Sequence, residues 1–224
     1  MNTMISDIDQ RDGAKRRGAV LSMITRLKQI CNHPALYLKD GSEIEGRSSK
    51  VNRLSELIEV FLSKNDKALV FTQFAQMGHL LQPYLEKKFG IPILFLHGSL
   101  SKEKRLEAVD TFQNEDSHKI FLLSLKAGGF GLNLTAANQV IHLDQWWNPA
   151  THEQATDRAY RIGQTSPVQV RKFLCKGTLE ERIFELLERK RALSENIVQS
   201  TTSMITELST NELKKLVSLT SERL

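Results

Sequence analysis

Cysteine is scarce in this chain: only two cysteines, Cys31 and Cys175, occur among 224 residues. They stand in no spacing typical of metal ligands, so the sequence predicts no metal site. So few cysteines favour a reduced, intracellular protein over a disulfide-bonded secreted one. No apolar run approaches the roughly 18 residues that span a bilayer, and the polar first residues carry no secretion signal. We therefore expect no membrane partner.

Charge of either sign is also in no large excess. The chain has 31 Lys and Arg residues against 26 Asp and Glu residues, a net charge of +5. This mild excess is compatible with nucleic-acid binding but does not show it. Hydrophobic residues make up 40% of the chain and charged residues 25%, as is usual for a globular protein. The length suits one ordinary domain with an appendage.

Hydrophobic patterning divides the chain into three parts. Residues 1–49 contain a helix that Pro34 ends, followed by a polar loop. Residues 50–176 alternate short runs of Val, Ile, Leu and Phe with amphipathic helices, which predicts repeated βαβ units around a parallel sheet. Residues 177–224 contain helices with capping residues, which we expect to pack back onto the α/β layer. The predicted fold class is α/β, with helical N-terminal and C-terminal extensions.

Small polar residues and glycines follow the predicted strands. Ligands of open parallel sheets bind at the carboxyl ends of the strands, so these loops are the candidate site. The loops read "TQF" at 72–74, "HGS" at 97–99, "SLKAGGFGLN" at 124–133 and "DQWWNP" at 144–149. Hydroxyls, amides and glycines let phosphate oxygens approach backbone N–H groups. Each loop alone is equally ordinary loop chemistry, but together they favour a nucleic-acid backbone running along this edge.

Two segments resemble nucleotide-binding motifs but depart from them at required positions. The glycine loop "KAGGFG", with Asp144 at the end of the next strand, suggests a dinucleotide site, but Leu134 stands at the third glycine position. The segment "GSEIEGRS" at 41–48 has the glycine spacing of a P-loop. It places Arg47 where lysine is needed and carries two glutamates that would repel phosphate. The sequence therefore predicts no nucleotide cradle of its own.

The segment "EQATDRAYRIGQ" at 153–164 places Arg158 and Arg161 three residues apart. On a helix that Gly163 ends, both guanidinium groups share one face, with Gln154 a turn earlier. Guanidinium groups are planar, permanently charged phosphate ligands. The pair predicts either an anion site or a solvated helix face.

The order of these motifs closely resembles the second motor lobe of Swi/Snf-family DNA translocases. The similar segments are "RLKQICNHPALY", "ALVFTQF", "LHGSLSKEKRLEAVDTFQ", "FLLSLKAGGFGLNLTAANQVIHLD", "WWNP", "EQATDRAYRIGQ" and "GTLEERIFELLERKR". They cover most of the chain, from about Leu21 to Ser200. The resemblance implies a RecA-like lobe that works as half of a motor. It implies that a first lobe, which this sequence does not contain, mainly holds ATP and magnesium, so this chain alone is expected to be inactive as an ATPase.

The resemblance also implies roles for individual residues. Arg158 and Arg161 match the family's arginine fingers, which stabilise charge on the γ-phosphate. The residues implied to face the nucleotide beside them are Gln154, Gly129 and Gly131. The residues implied to contact DNA are Thr72, Gln73, Gly98, Ser99, Ser124, Lys126 and Trp147.

The implied partners are double-stranded DNA, the N-terminal motor lobe of the same parent protein, and a displaced protein that the sequence does not identify. The implied location is on intracellular DNA. Two other classes remain: a stand-alone nucleic-acid-binding module and a dinucleotide-dependent enzyme. The arginine pair favours the motor over the binding module, because a binding module has no use for residues aimed at a γ-phosphate. Leu134 argues against the dinucleotide enzyme.

Overall fold

The computed structural model divides into two compact units, residues 1–31 with 174–224 and residues 32–173. It describes Ile5 and residues 8–125, 132–146, 149–193 (backbone only at 149, 150 and beyond 188) and 205–219. Within these residues, no helix is both long enough and apolar enough to cross a membrane. The domain boundaries expected after residues 49 and 176 stay a prediction.

Helices and strands alternate through the middle of the chain, as the hydrophobic pattern predicts. The elements are α1 (Gly13–Asn32), α2 (Pro34–Leu38), α3 (Ser49–Ser63), β1 (Ala68–Thr72), α4 (Ala75–Phe89), β2 (Ile93–Leu96), α5 (Lys102–Asn114), β3 (Ile120–Ser124), β4 (Gln139–His142), α6 (Pro149–Thr156), β5 (Gln169–Lys172), α7 (Leu179–Leu193) and α8 (Thr210–Val217). Serine caps start several helices: the Ser48 and Ser101 hydroxyls accept N–H bonds from the first turns of α3 and α5. A full capping box starts α8.

The described strands form one parallel sheet in the order β2–β3–β1–β4–β5. The chain leaves β1 for β2 on one side of the sheet and leaves β4 for β5 on the other. The loops after β1 and β4 therefore diverge, and a crevice lies between the carboxyl ends of these strands, where ligands of such sheets bind. The α/β fold class, a parallel sheet flanked by helices, is confirmed.

Alternate residues of each strand pack on opposite faces of the sheet. Val70 points to the face covered by α3 and α4, whereas Phe71 points to the face where Phe112 of α5 packs. Both faces of β1 and β3 are buried along their full length, which explains why these strands read as unbroken apolar runs. Burying each such side chain stabilises the fold by about 1.5–3 kcal/mol.

Gly78 lies where α4 packs on β2. A Cβ atom at Gly78 would lie 2.2 Å from Cζ of Phe95, a buried ring already flanked by His79 and His97 at 5.0 and 4.8 Å between ring centroids. We therefore expect Gly78→Ala to lower the free energy of unfolding by about 1–3 kcal/mol through overpacking. Urea unfolding measures this change.

Gly18→Ala is the matched control for Gly78→Ala. Gly18 is also helical, and a Cβ there meets no atom of the described residues within 4 Å. Its helix propensity gain of about 0.5–1 kcal/mol should raise stability. A Gly78→Ala variant as stable as the wild type would show that Phe95 does not limit the space at this position.

Candidate functional site

The crevice between β1 and β4 is filled by Asp144, which follows β4 and is 0% exposed. One carboxylate oxygen accepts hydrogen bonds from the Thr72 hydroxyl at 2.6 Å and the Asn32 side-chain amide at 2.8 Å. The other accepts the backbone N–H of Gln73 at 2.9 Å. Three internal donors therefore engage this acid, so it does not present the free carboxylate that a dinucleotide ribose requires.

The "CNHP" motif builds the floor of this crevice. The Asn32 side-chain oxygen accepts from the buried Lys50 ammonium at 3.0 Å, while its amide nitrogen donates to the carboxylate described above. Nδ1 of His33 accepts the N–H of Ala35 at 3.0 Å and caps α2. Nε2 of His33 then carries the proton and donates to the Ile44 carbonyl at 2.9 Å. The motif thus has a structural function, which sequence analysis did not assign.

The loop after β2 presents Gly98 and Ser99 to solvent. Arg105 of α5 fixes this loop by donating to the carbonyl oxygens of Leu100 at 2.9 Å and Gly98 at 2.8 Å. The Ser99 hydroxyl lies 2.7 Å from Nδ1 of His97. Arg105 therefore fixes the loop through two carbonyl oxygens, while Gly98 and Ser99 remain exposed to solvent.

The residues predicted to contact DNA differ in accessibility. Thr72 and Ser124 are neighbours in the β1–β3 register and are only 1% and 3% exposed. Gln73 is half-buried. Among the members of this set that the structure describes, Gly98 and Ser99 are the exposed ones. Phosphate contact by the Thr72 and Ser124 hydroxyls stays a prediction.

Four predicted site residues, Lys126, Gly129, Gly131 and Trp147, lie outside the described residues. Of their neighbours, Trp146 is half-buried and packs against the same core cluster as Leu134. Leu134 itself is fully buried. The residue that breaks the dinucleotide fingerprint is therefore part of the hydrophobic core.

The helix predicted to carry both arginines ends early, so the prediction of one shared helix face is wrong. Helix α6 stops at Thr156, and Arg158 and Arg161 lie in the turns that follow. Arg158 is 5% exposed, whereas Arg161 is exposed. Gln154 is exposed on α6 itself. Burial, and then the charge of Arg161, lower the pKa of Arg158. The two charges still act on each other, and a nearby anion would favour both.

Hydrogen bonds from other parts of the chain hold the turns that follow α6. In a longer helix, the carbonyls of Arg158 and Ala159 would accept N–H groups four residues onward. Instead, the Arg158 carbonyl accepts the Leu134 N–H at 3.0 Å, and the Ala159 carbonyl accepts the Gln164 side-chain amide at 3.1 Å. The same amide nitrogen lies 3.0 and 2.9 Å from two carbonyl oxygens before β4. Gln164, the last residue of "RIGQ", therefore positions the arginine turn, a role that sequence analysis missed.

Two buried histidines connect α6 to β4. Nε2 of His152 accepts the Trp146 N–H at 2.6 Å, so the proton of its neutral ring is on Nδ1. That Nδ1 donates to Nδ1 of His142 at 2.8 Å, which leaves Nε2–H of His142 to donate to the Thr156 hydroxyl at 3.0 Å. This arrangement requires two neutral rings. Burial, followed by His152 and Lys172, lowers the pKa of His142 to about 3.

Acid should destabilise the protein through His142. Between its folded pKa of about 3 and the ordinary value of about 6.5, the unfolded chain binds one more proton than the folded chain. The free energy of unfolding then falls by about 1.4 kcal/mol per pH unit as pH decreases through this window, and the contribution is complete above it. We expect urea unfolding between pH 7 and 5 to show a shallower pH dependence for His142→Gln. A wild-type slope in His142→Gln would refute the assignment.

The sequence matches the family described as helicase conserved C-terminal domain over residues 49–163. It is 53% identical to the putative ATP-dependent helicase/translocase YwqA of Bacillus subtilis over 209 residues, which cover 92% of this chain and 22% of that protein. It is 36% identical to the mouse SWI/SNF-related matrix-associated actin-dependent regulator of chromatin subfamily A member 1, over 88% of this chain and 20% of that protein. The chain thus spans about a fifth of the length of these relatives.

Solved structures give the same assignment. The Sulfolobus solfataricus SWI2/SNF2 ATPase core in complex with dsDNA superposes with a TM-score of 0.86 at 48% identity, over 98% of this chain and 46% of that one. The C-terminal domain of the SWI2/SNF2 ATPase from the same organism gives 0.83 at 45% identity, over 97% of this chain and 89% of that one. The parallel sheet flanked by helices is the RecA-like fold of these neighbours. The chain belongs to the Swi2/Snf2 family, as its helicase C-terminal lobe.

Proposed function

We propose that this chain is the second motor lobe of an ATP-dependent translocase that moves on double-stranded DNA and remodels protein–DNA complexes. The observation that carries the proposal is the arginine turn, in which a buried Arg158 and an exposed Arg161 act on each other electrostatically. Its relatives include YwqA of Bacillus subtilis, which is named a putative ATP-dependent helicase/translocase. In the parent motor, meaning this chain joined to its first lobe, the two arginines are the fingers that stabilise charge on the γ-phosphate.

The electrostatics of the turn suit an anion that arrives from outside. The lowered pKa of Arg158 means that the folded chain disfavours its positive charge, first through burial and then through Arg161. A phosphate group at the exposed Arg161 would offset both effects. Gln154 on α6 and the glycines Gly129 and Gly131 complete the nucleotide-facing side in this proposal. The first lobe mainly holds ATP and magnesium.

The loop that resembles a P-loop is closed by its own side chains. Arg47 bonds back to its own loop, through the Ser42 hydroxyl and the Glu43 carbonyl at 3.2 Å. Glu45 forms an ion pair with Lys88 of α4. A loop closed on itself and lined by acids is a poor phosphate cradle. This supports the proposal that the chain has no ATPase activity without the first lobe.

In the proposed motor, DNA phosphates run along the carboxyl edge of the sheet. Gly98 and Ser99 are the exposed residues of this edge that contact the phosphates. The other contacts that we propose are Thr72, Gln73, Ser124, Lys126 and Trp147. The Sulfolobus relative solved with dsDNA supports DNA as the ligand. Contact with phosphates rather than bases makes binding independent of sequence and sensitive to salt. ATP binding closes the lobes and hydrolysis opens them, so the phosphate grip changes with each cycle while the protein stays on DNA.

A matched pair of serines tests the DNA edge. Ser99 follows β2 and Ser117 precedes β3, both are exposed, and each hydroxyl lies near a histidine Nδ1, at 2.7 and 3.0 Å. In the parent motor, Ser99→Glu should weaken duplex binding in fluorescence anisotropy, because it adds a negative charge beside phosphates. Ser117→Glu at the opposite edge should bind as the wild type does. Equal affinity of both variants, or dependence on duplex sequence, would contradict this interface.

A further inference from the structure

Two cysteines and a buried glutamate meet in the unit formed by the two ends of the chain. Cys31 lies in the last turn of α1, Cys175 precedes α7, and Glu180 lies in the first turn of α7. Their two Sγ atoms and a carboxylate oxygen all lie within 4.8 Å of one another. The cysteines are 144 residues apart in sequence, so spacing along the chain gave no signal of the cluster.

We propose that Cys31, Cys175 and Glu180 bind a thiophilic divalent cation of the Zn²⁺ type. Tetrahedral zinc, with bonds of about 2.3 Å to sulfur and about 2.1 Å to oxygen, holds two sulfurs about 3.8 Å apart and sulfur and oxygen about 3.6 Å apart. The three ligand atoms need to close by about 1.2 Å at most to reach this geometry. Water completes the fourth position.

Local hydrogen bonds already orient the ligands. The Cys175 thiol donates to the Cys31 carbonyl at 3.3 Å, and the Cys175 N–H donates to the Glu180 carboxylate at 3.1 Å. The Thr178 hydroxyl donates to the Cys175 carbonyl at 2.7 Å and shapes the turn before α7. On binding, both thiols release their protons to solvent, and metal–sulfur bonds replace the weak S–H···O hydrogen bond. The carbonyl end of α1 favours a cation at this position.

The carboxylate distinguishes a cation site from a disulfide. Two neighbouring thiols alone would suit a disulfide, which has no use for a third acidic group. Glu180 is 2% exposed, and its carboxylate oxygen lies beside the two sulfurs as a third ligand atom, which a cation uses and a disulfide does not. In a reduced protein, clustered cysteines more often bind metal than oxidise. The cation would join the end of α1 to the start of α7 and so stabilise this unit.

Cobalt and zinc titrations of this chain test the proposal. With a reductant that lacks thiols, Co²⁺ should bind one equivalent per chain and give a sulfur-to-cobalt charge-transfer band and the visible bands of tetrahedral cobalt. Zn²⁺ should displace Co²⁺ and raise the unfolding temperature, because it binds the folded state. Absence of the charge-transfer band, with no zinc-dependent shift, would overturn the proposal.

Variants identify the ligands. Cys31→Ser and Cys175→Ser should remove the charge-transfer band, and Glu180→Gln should weaken Zn²⁺ binding by about tenfold or more. Glu181→Gln is the matched control, because the Glu181 carboxylate accepts the Gly177 N–H at 2.8 Å and is no member of the cluster. Circular dichroism checks that each variant is folded. Unchanged binding in the double cysteine variant, or a peroxide-induced Cys31–Cys175 crosslink in a chain that binds neither metal, would overturn the proposal.

Discussion

Replacing Arg161 by alanine in the parent motor should lower DNA-stimulated ATP hydrolysis by about 10³-fold or more, the usual contribution of an arginine finger. Duplex affinity should stay nearly unchanged, because Arg161 lies on the turn after α6 and not in the loops assigned to DNA. Its side chain is exposed, so its loss should not destabilise the lobe. Steady-state hydrolysis and anisotropy, measured at the same salt concentration, separate the two effects.

Arg53→Ala is the control, because Arg53 is exposed on α3 and pairs only weakly with Glu56 across one helical turn. It should leave hydrolysis unchanged. Arg158→Ala is a poorer probe, since Arg158 is buried and its loss would also disturb packing. Survival of hydrolysis in Arg161→Ala, with an equal loss of DNA binding, would show that this arginine is a DNA ligand instead.

Asp144→Ala should lower the free energy of unfolding by about 3–5 kcal/mol, the largest stability change that we expect from one substitution. It removes the acceptor of three donors, namely the Thr72 hydroxyl, the Gln73 N–H and the Asn32 amide. The Lys50 ammonium, bonded to the same asparagine, would lose the nearby negative charge. Urea unfolding should show a lower midpoint at a similar slope.

Asp157→Ala is the matched control for Asp144→Ala. Asp157 is exposed just after α6, and surface substitutions of this kind change stability by roughly 0.5 kcal/mol or less. Asp144→Asn should give an intermediate loss of stability. The amide keeps one acceptor oxygen, but its NH2 group then faces a group that also donates. A loss below about 1 kcal/mol for Asp144→Ala would mean that the crevice reorganises around the missing carboxylate.

Short-range patterns were sufficient to predict the sheet. Strands β1 and β3 are apolar on both faces, so their sequences identify buried parallel strands without knowledge of their partners. The serine caps of α3 and α5 are equally local contacts. These signals lie within a few residues of the element that they define.

Long-range hydrogen bonds set the features that sequence analysis missed. Leu134 and Gln164 hold the turns after α6 by donating to the carbonyls of Arg158 and Ala159. The burial of Arg158 depends on these turns, so the residue type alone did not predict it. Similarly, the function of Asn32 depends on Asp144, which is 112 residues away. The resemblance to a family marked these positions without giving the contacts.

ATP hydrolysis by this chain, with and without duplex DNA and beside the parent motor at the same salt concentration, tests the central claim most directly. The account predicts no turnover by the chain alone and DNA-stimulated turnover by the parent motor, because the arginine turn acts on a nucleotide that the other lobe holds. Turnover by the chain alone would contradict the account, since it would require a nucleotide cradle within these residues. The segment at 41–48 would then be the first to mutate.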